Sequence, residues 1–213
     1  VCKMRGGIKV MKILAVTGGI GSGKSEVCRI LAENGHTLQY NADSRAKALY
    51  VECPGLLESI EVSLGCGLRD EDGNFIPSRL AAVIFSDAAA LQKVEALLFP
   101  EMIRDFHRMM AEAAEDQIVV FESATFLEKK QFDGFADIVL LVDAPFEIRL
   151  ERACRRDGAS KEAIMARMNS QRLMNELSEG LEDSRITYRV LNVGTRQDLE
   201  RNVLSVLTKL ENN

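Results

Sequence analysis

The amino-acid sequence predicts an α/β fold, a parallel β-sheet with helices on both faces. Three observations support this prediction. Short apolar runs bounded by turn residues alternate with helical patterns, as expected for strands that are buried on both faces of a sheet. A glycine-rich loop joins the first apolar run to the first helical pattern. The middle of the chain is mostly helical and strand patterns resume after it, which indicates an insertion within one domain rather than a second domain.

The first elements follow from their apolar spacing. The stretch KILAVT, Lys12–Thr17, is short, apolar and followed by glycine, so we predict a buried strand. Lys24–Asn34 has its apolar residues on one face and is followed by Gly35, which predicts a helix with a glycine stop. A second short strand is expected over residues 38–40, just before the triplet Asn41-Ala42-Asp43.

The later elements are predicted in the same way. From residue 44 to about 115 the pattern is mostly helical, with interruptions at Pro54-Gly55 and at the turn Asp72-Gly73. Further strands are predicted at residues 118–121, 137–142 and 187–191, helices at 146–156 and 161–171, and a closing amphipathic helix marked by Leu199, Val203, Val206, Leu207 and Leu210. Residues 1–10 are expected to be a disordered leader to a single domain that spans residues 11–213.

Composition excludes several classes of function. A net charge of −5 argues against a general nucleic-acid binder, which would carry an excess of basic residues. No apolar run approaches the roughly 20 residues of a membrane span. The five cysteines are scattered without a CxxC pair, and the two histidines, His36 and His107, are isolated, which argues against a structural zinc site and a disulfide framework. We therefore expect a cytoplasmic protein without nucleic-acid or membrane partners, and its oligomeric state stays open.

Residues 18–25 (GGIGSGKS) match the phosphate-binding pattern G-x-x-x-x-G-K-[ST]. Glycines let the backbone wrap phosphates closely, and the following helix presents its positive end to the same anion. In such loops the lysine reaches the β and γ phosphates and the hydroxyl binds Mg²⁺. The predicted fold class is therefore a P-loop NTPase-type parallel sheet. The predicted cofactors are ATP and Mg²⁺, and Ser25 is the predicted metal ligand. The predicted contacts are Gly19, Ile20, Gly21, Ser22, Gly23, Lys24, Ser25 and Glu26.

The loop alone does not separate a kinase from a molecular switch or a motor. A small kinase is favoured by the short chain, by a helical insertion placed where an acceptor could bind, and by the arginines in the carboxyl half. An arginine-bearing lid over about residues 149–172 would neutralise the transferred phosphoryl group and exclude water. The alternative is a solvent-exposed helix with salt bridges, since Glu151 precedes Arg155 by four residues. The arginines concerned are Arg149, Arg152, Arg155, Arg156, Arg167 and Arg172.

An ordered set of motifs resembles the dephospho-coenzyme A kinase family from Lys12 to about Leu207. It includes TGGIGSGKS at residues 17–25, the triplet at 41–43 where the family has Asp-Ala-Asp, R-x-x-x-R-D-G at 152–158, R-x-x-x-Q at 167–171 and N-x-G at 192–194. The resemblance implies ATP-dependent phosphorylation of the ribose 3′-hydroxyl of dephospho-coenzyme A. It also implies that the helical insertion holds this acceptor, that the arginine lid closes over ATP and that the N-x-G segment lies near the adenine. The sequence departs from the family at Asn41, Lys47, Phe99 and Glu122-Ser123-Ala124, and between Gln171 and Asn192 it is longer.

From the motif and the resemblance we predict Lys24, Asp43 and Arg156 as catalytic residues and Arg152, Arg167 and Asn192 as further nucleotide contacts. Asp43 follows a short strand at its carboxyl end, where open α/β sheets bind ligands, and is expected against the acceptor hydroxyl. The alternative is that it caps the next helix. Glu122 is the next candidate for activating the hydroxyl. Two other functions stay open: a kinase for another small alcohol or nucleotide, and an ATP-binding protein without catalysis.

Overall fold

The computed structural model describes residues 11–35, 37–114 and 117–211. The predicted leader at residues 1–10 and the interpretation of His36 as structural lie outside these ranges. The chain divides into two compact units. The first joins the chain up to Asn41 to the chain from Ala113 onward, and the second is Ala42–Glu112.

The first unit is built on a parallel five-stranded sheet, as predicted. Its strands are β1 (Lys12–Thr17), β2 (Thr37–Asn41), β3 (Ile118–Glu122), β4 (Ile138–Asp143) and β5 (Tyr188–Leu191), in the order β2-β3-β1-β4-β5. Glu122 of β3 stands in register with Val16 of β1 on one side and with Asn41 of β2 on the other. The carboxyl ends of these three strands therefore lie side by side at one edge of the sheet.

Helices connect the strands along the chain. In chain order they are α1 (Lys24–Asn34), α2 (Ala42–Glu52), α3 (Pro54–Leu64), α4 (Pro77–Ser86), α5 (Ala88–Ala111), α6 (Phe146–Asp157), α7 (Lys161–Asn169), α8 (Arg172–Ser178) and α9 (Arg196–Glu211). Helices α2 to α5 belong to the second unit. No helix within the described ranges is long and apolar enough to cross a membrane.

The main core of the first unit lies between the sheet and helices α1 and α9. Leu14, Val16, Val120, Leu140 and Val142 of the strands pack there against the apolar faces of both helices. Full burial of one such side chain contributes roughly 1.5–3 kcal/mol to stability. The five residues that predicted the closing helix, from Leu199 to Leu210, are all buried in this core.

One local prediction is confirmed and another differs from the structure. The helical pattern is interrupted just before Pro54-Gly55: α2 ends at Glu52, and Pro54 occupies the first position of α3, where its missing N–H group would have had no helical partner in any case. The predicted helix at residues 161–171 ends at Asn169, and a separate helix, α8, follows. Helix α8 fills part of the stretch that is longer than the family pattern, and its seven residues were too few to give a clear helical period.

The second unit is a helical cluster with one tight turn. Arg45 of α2 pairs with Asp105 of α5 at 2.8 Å, so these two helices are joined by a half-buried ion pair. The predicted turn is present at Asp72-Gly73, where the carboxylate of Asp70 accepts the backbone N–H groups of Asp72 at 3.0 Å and Asn74 at 2.8 Å.

Candidate active site

The glycine-rich loop runs from the end of β1 to the start of α1. Lys24 is the first residue of α1, and its Nζ donates to the carbonyl oxygens of Gly18 at 2.9 Å and Gly19 at 3.3 Å. The Lys24 side chain therefore lies over the loop that precedes it. Because α1 begins here, the positive end of its dipole faces the same region.

Asn192, which follows β5, anchors this loop. Its side-chain Nδ2 donates to the carbonyl oxygen of Ser22 at 2.8 Å, and its own carbonyl oxygen accepts from Arg152 Nη1 at 2.9 Å. Gly23 has a φ of 100°, and a β-carbon there would lie 2.2 Å from Asn192 Nδ2. Glycine is thus required at residue 23 both for the backbone conformation and for the approach of Asn192. The structure brings Asn192 and Arg152 to the loop, where Asn192 holds the loop itself; their contacts with a nucleotide stay a prediction.

A residue from the carboxyl half of the chain, Gln171, also holds the loop in place. The N–H group of Ile20 donates to Gln171 Oε1 at 2.7 Å, and the side chain of Gln171 is buried. Ile20 also packs on the small apolar cluster between α6 and α7. Gln171 is not among the predicted site residues. Its place in the R-x-x-x-Q motif is the sequence signal that could have found it.

Glu122 joins the phosphate loop to the neighbouring strand. Its Oε1 accepts from Ser25 Oγ at 2.8 Å and its Oε2 accepts from Asn41 Nδ2 at 2.6 Å. The sequence predicts Glu122 only as a departure from the family and as a substitute for Asp43, and it does not predict the contact with Ser25. The signal that could have found it is its place as the last residue of a strand beside β1. A serine hydroxyl and a carboxylate this close are the hard oxygen ligands that Mg²⁺ prefers, usually completed by waters and phosphate oxygens.

Several arginines of the predicted lid form ion pairs with nearby carboxylates. Arg156 and Arg167 both bind the carboxylate of Asp157, with Arg156 Nε at 2.6 Å from Oδ1 and Arg167 Nη1 at 3.0 Å from Oδ2. The hydrogen bond from Arg156 is the main cause that lowers the pKa of Asp157 to about 2. Arg155 instead forms a surface salt bridge with Glu151 at 2.6 Å, so the alternative interpretation is correct for that residue.

Two clefts adjoin the loop. The first is lined by Gly21, Gly23, Lys24, Ser25, Glu26, Arg152 and Arg156. The second shares three of these residues and is lined by Gly23, Glu26, Arg29, Arg152, Asn192, Gly194, Arg196 and Leu199. Glu26 accepts hydrogen bonds from Arg29 and Arg196, and the bond from Arg29 is the main cause that lowers its pKa. Most of the predicted nucleotide contacts thus line one of the two clefts.

Asp43 lies in the second unit, two residues after Asn41. Helix α2 already begins at Ala42, so Asp43 belongs to the first turn of the helix and does not occupy the capping position. A carboxylate in a first turn interacts favourably with the helix dipole. The role of Asp43 against an acceptor hydroxyl stays a prediction.

Comparison with known proteins gives one consistent family. The model of the dephospho-CoA kinase family matches residues 12–181. A dephospho-CoA kinase from Porphyromonas gingivalis is 40% identical over 182 residues, which cover 85% of this chain and 86% of the relative. Among solved structures, TT1252 from Thermus thermophilus is 31% identical with a TM-score of 0.78, covering 95% of this chain and 99% of that one. A shikimate kinase from Acinetobacter baumannii, at 14% identity and a TM-score of 0.55, shares the fold alone; the match covers 97% of this chain and 98% of that one.

Proposed function

The chain belongs to the dephospho-CoA kinase family, and from this premise we propose how its own residues divide the work of the reaction. It is a phosphotransferase with an alcohol acceptor that phosphorylates dephospho-CoA with ATP to give CoA. The observation that carries the proposal is the meeting of Lys24, Ser25 and Glu122 at the carboxyl edge of the sheet, where Ser25 Oγ lies 2.8 Å from Glu122 Oε1.

Lys24 and the loop hold the triphosphate. The Nζ of Lys24 now binds two loop carbonyls, and a phosphate oxygen is a stronger partner because it is charged. If the Lys24 side chain moved from these carbonyls to the β and γ phosphates, its positive charge would lie where negative charge develops in the transition state. Such fixed charge is the main source of acceleration in phosphoryl transfer, which needs little covalent help from the protein.

Ser25 and Glu122 are the residues that would hold Mg²⁺. Within the described ranges no group of three or more His, Cys, Asp and Glu side chains could bind a metal, so the remaining ligands would come from ATP and water. When bound, the ion neutralises charge on the β and γ phosphates. Asn41 suits this site because its amide donates to Glu122, whereas a second carboxylate so close would repel the first unless a cation lay between them.

Arg156, with Arg152 and Arg167, is proposed to contact the transferred phosphoryl group. Arg156 lines the same cleft as Lys24 and Ser25, and its side chain is 61% exposed, so it has room to move. Asp157 orients the guanidinium groups of Arg156 and Arg167 until phosphate oxygens replace it. We assign the lid to about residues 149–172. Within it Arg149 is buried, and it is not proposed to contact the transferred phosphoryl group.

The second unit is proposed to bind dephospho-CoA, with Asp43 orienting the ribose 3′-hydroxyl for in-line attack. Asp43 is reached from the carboxyl end of β2 after one residue, which is the end at which open parallel sheets bind their ligands. We further propose a cytoplasmic location, because the described cysteines, Cys28, Cys53, Cys66 and Cys154, are free thiols that suit a reducing compartment.

The decisive experiment incubates the pure protein with ATP, Mg²⁺ and dephospho-CoA and measures CoA by mass spectrometry. A panel of other acceptors, including shikimate and nucleosides, is measured in parallel through ADP release. We expect CoA to form and dephospho-CoA to be the fastest acceptor. Faster transfer to another alcohol would assign a different kinase, and tight ATP binding without acceptor-stimulated ADP release would indicate a binding protein.

A further inference from the structure

Arg149 of α6 is a buried cation beside the phosphate loop. Its side chain is only 1% exposed, although arginine is rarely buried without a charged partner in direct contact. The Nη2 group donates to Asn175 Oδ1 at 2.9 Å, and the guanidinium carbon lies 5.8 Å from the centre of the Phe146 ring. Its Nε and Nη1 have no hydrogen-bond partner among the residues that the structure describes. Two nitrogen atoms of a buried cation thus have no hydrogen-bond partner in the part of the chain that the structure describes.

The open Nη1 group faces the loop. A β-carbon at Gly19 would lie 1.9 Å from Arg149 Nη1, and one at Gly21 would lie 2.1 Å from the Arg149 carbonyl oxygen. The loop backbone and the first turn of α6 are therefore in direct contact. Lys24 Nζ binds the carbonyl of the same Gly19, so two cations meet at this residue.

Such an arrangement is unfavourable for folding alone. Burial lowers the pKa of Arg149, and the charge of Asp143 only partly opposes this effect. Asp143 is itself engaged by Ser178 Oγ at 2.6 Å and by Arg189 at 3.5 Å. A buried charge without a charged partner in direct contact carries a desolvation cost, and a benefit other than stability would explain why the residue is there.

We propose that Arg149 is a positioning residue that places a fixed positive charge behind the phosphate loop and so strengthens binding of the nucleotide's phosphates. It does not touch the reacting atoms; it acts through its field and through the backbone at Gly19. In a partly buried site this field is weakly screened by water and salt. The inference rests on the proposed function, because it takes the loop to be the triphosphate site.

The test measures nucleotide affinity and stability in the same variants. Arg149→Met keeps the apolar stem and removes the charge, Arg149→Gln keeps polar donors without charge, and Arg149→Lys keeps the charge. Arg155→Met is the matched control, because Arg155 lies on the same helix in an exposed salt bridge with Glu151. Dissociation constants for ATP, ADP and adenosine are measured by calorimetry, and unfolding by thermal denaturation.

We expect Arg149→Met and Arg149→Gln to weaken ATP binding by about tenfold to a hundredfold, with a smaller effect on ADP and less than about twofold on adenosine. Arg149→Lys should retain most of the ATP affinity, and the control should match the wild type. The midpoint of unfolding of Arg149→Met should be unchanged or higher. A merely structural arginine would instead lower that midpoint and leave the selectivity for phosphates unaltered.

Three results would overturn the inference: unchanged ATP affinity in Arg149→Met, equal weakening of ATP and adenosine, or an Arg149→Gln variant that binds ATP as tightly as Arg149→Lys. If Arg149→Met does not fold, the comparison of the Gln and Lys variants decides alone. Lys24→Ala is measured alongside. If it also binds ATP normally, the assignment of the loop is wrong; if only the Arg149 variants behave like the wild type, the loop stands and this inference fails.

Discussion

Replacing Glu122 with glutamine tests the centre of the proposed site. In the structure Glu122 Oε1 accepts a hydrogen bond from Ser25 Oγ at 2.8 Å, and Glu122 Oε2 accepts one from Asn41 Nδ2 at 2.6 Å. A glutamine oxygen can still accept from Asn41, and its amide can donate to Ser25 Oγ, because a hydroxyl can accept as well as donate. Both contacts can therefore be kept, and we expect a loss of only about 1 kcal/mol in the free energy of unfolding.

The effect of Glu122→Gln on catalysis should be much larger. The amide removes a negative charge from the proposed Mg²⁺ site and offers a poorer ligand, so the turnover number should fall by roughly 10²–10³, as for other preorganised electrostatic groups. The Mg²⁺ concentration needed for half-maximal activity should rise. The assay follows CoA formation across a Mg²⁺ titration, with unfolding measured on the same preparation. Loss of activity in proportion to loss of folded protein, with an unchanged Mg²⁺ dependence, would refute the assignment.

Three further substitutions test the remaining roles. Lys24→Ala should reduce the turnover number by on the order of a hundredfold or more, and near-normal CoA formation would contradict the loop assignment. Arg156→Lys should reduce turnover more than conservation of charge suggests, because lysine lacks the planar fork; equal steady-state rates would make Arg156 a solvated surface arginine. Asp43→Asn should lower turnover by roughly 10²–10⁴ while calorimetry shows ATP affinity little changed; full activity would transfer activation of the hydroxyl to Glu122.

Local sequence patterns alone predict the first strand, the phosphate loop and the first helix of this protein. The apolar run at Lys12–Thr17, the loop at residues 18–25 and the helix at Lys24–Asn34 were predicted with the bounds that the structure has for the strand and the helix. These features depend on residues close in sequence: burial patterns repeat within one element, and the glycines act on their own backbone angles. The parallel sheet followed from the alternation of such elements.

Only the tertiary structure decided which distant residues meet at the loop. Glu122 reaches Ser25 because β3 lies beside β1, and strand order is not encoded in the period of any single strand. Gln171 binds Ile20 from 151 positions away in the sequence. Arg149 belongs to a run of arginines whose pattern indicated an exposed lid or a salt-bridged surface helix, yet it is buried. Its burial is set by what packs on α6, and that contact is made by a loop more than a hundred residues earlier.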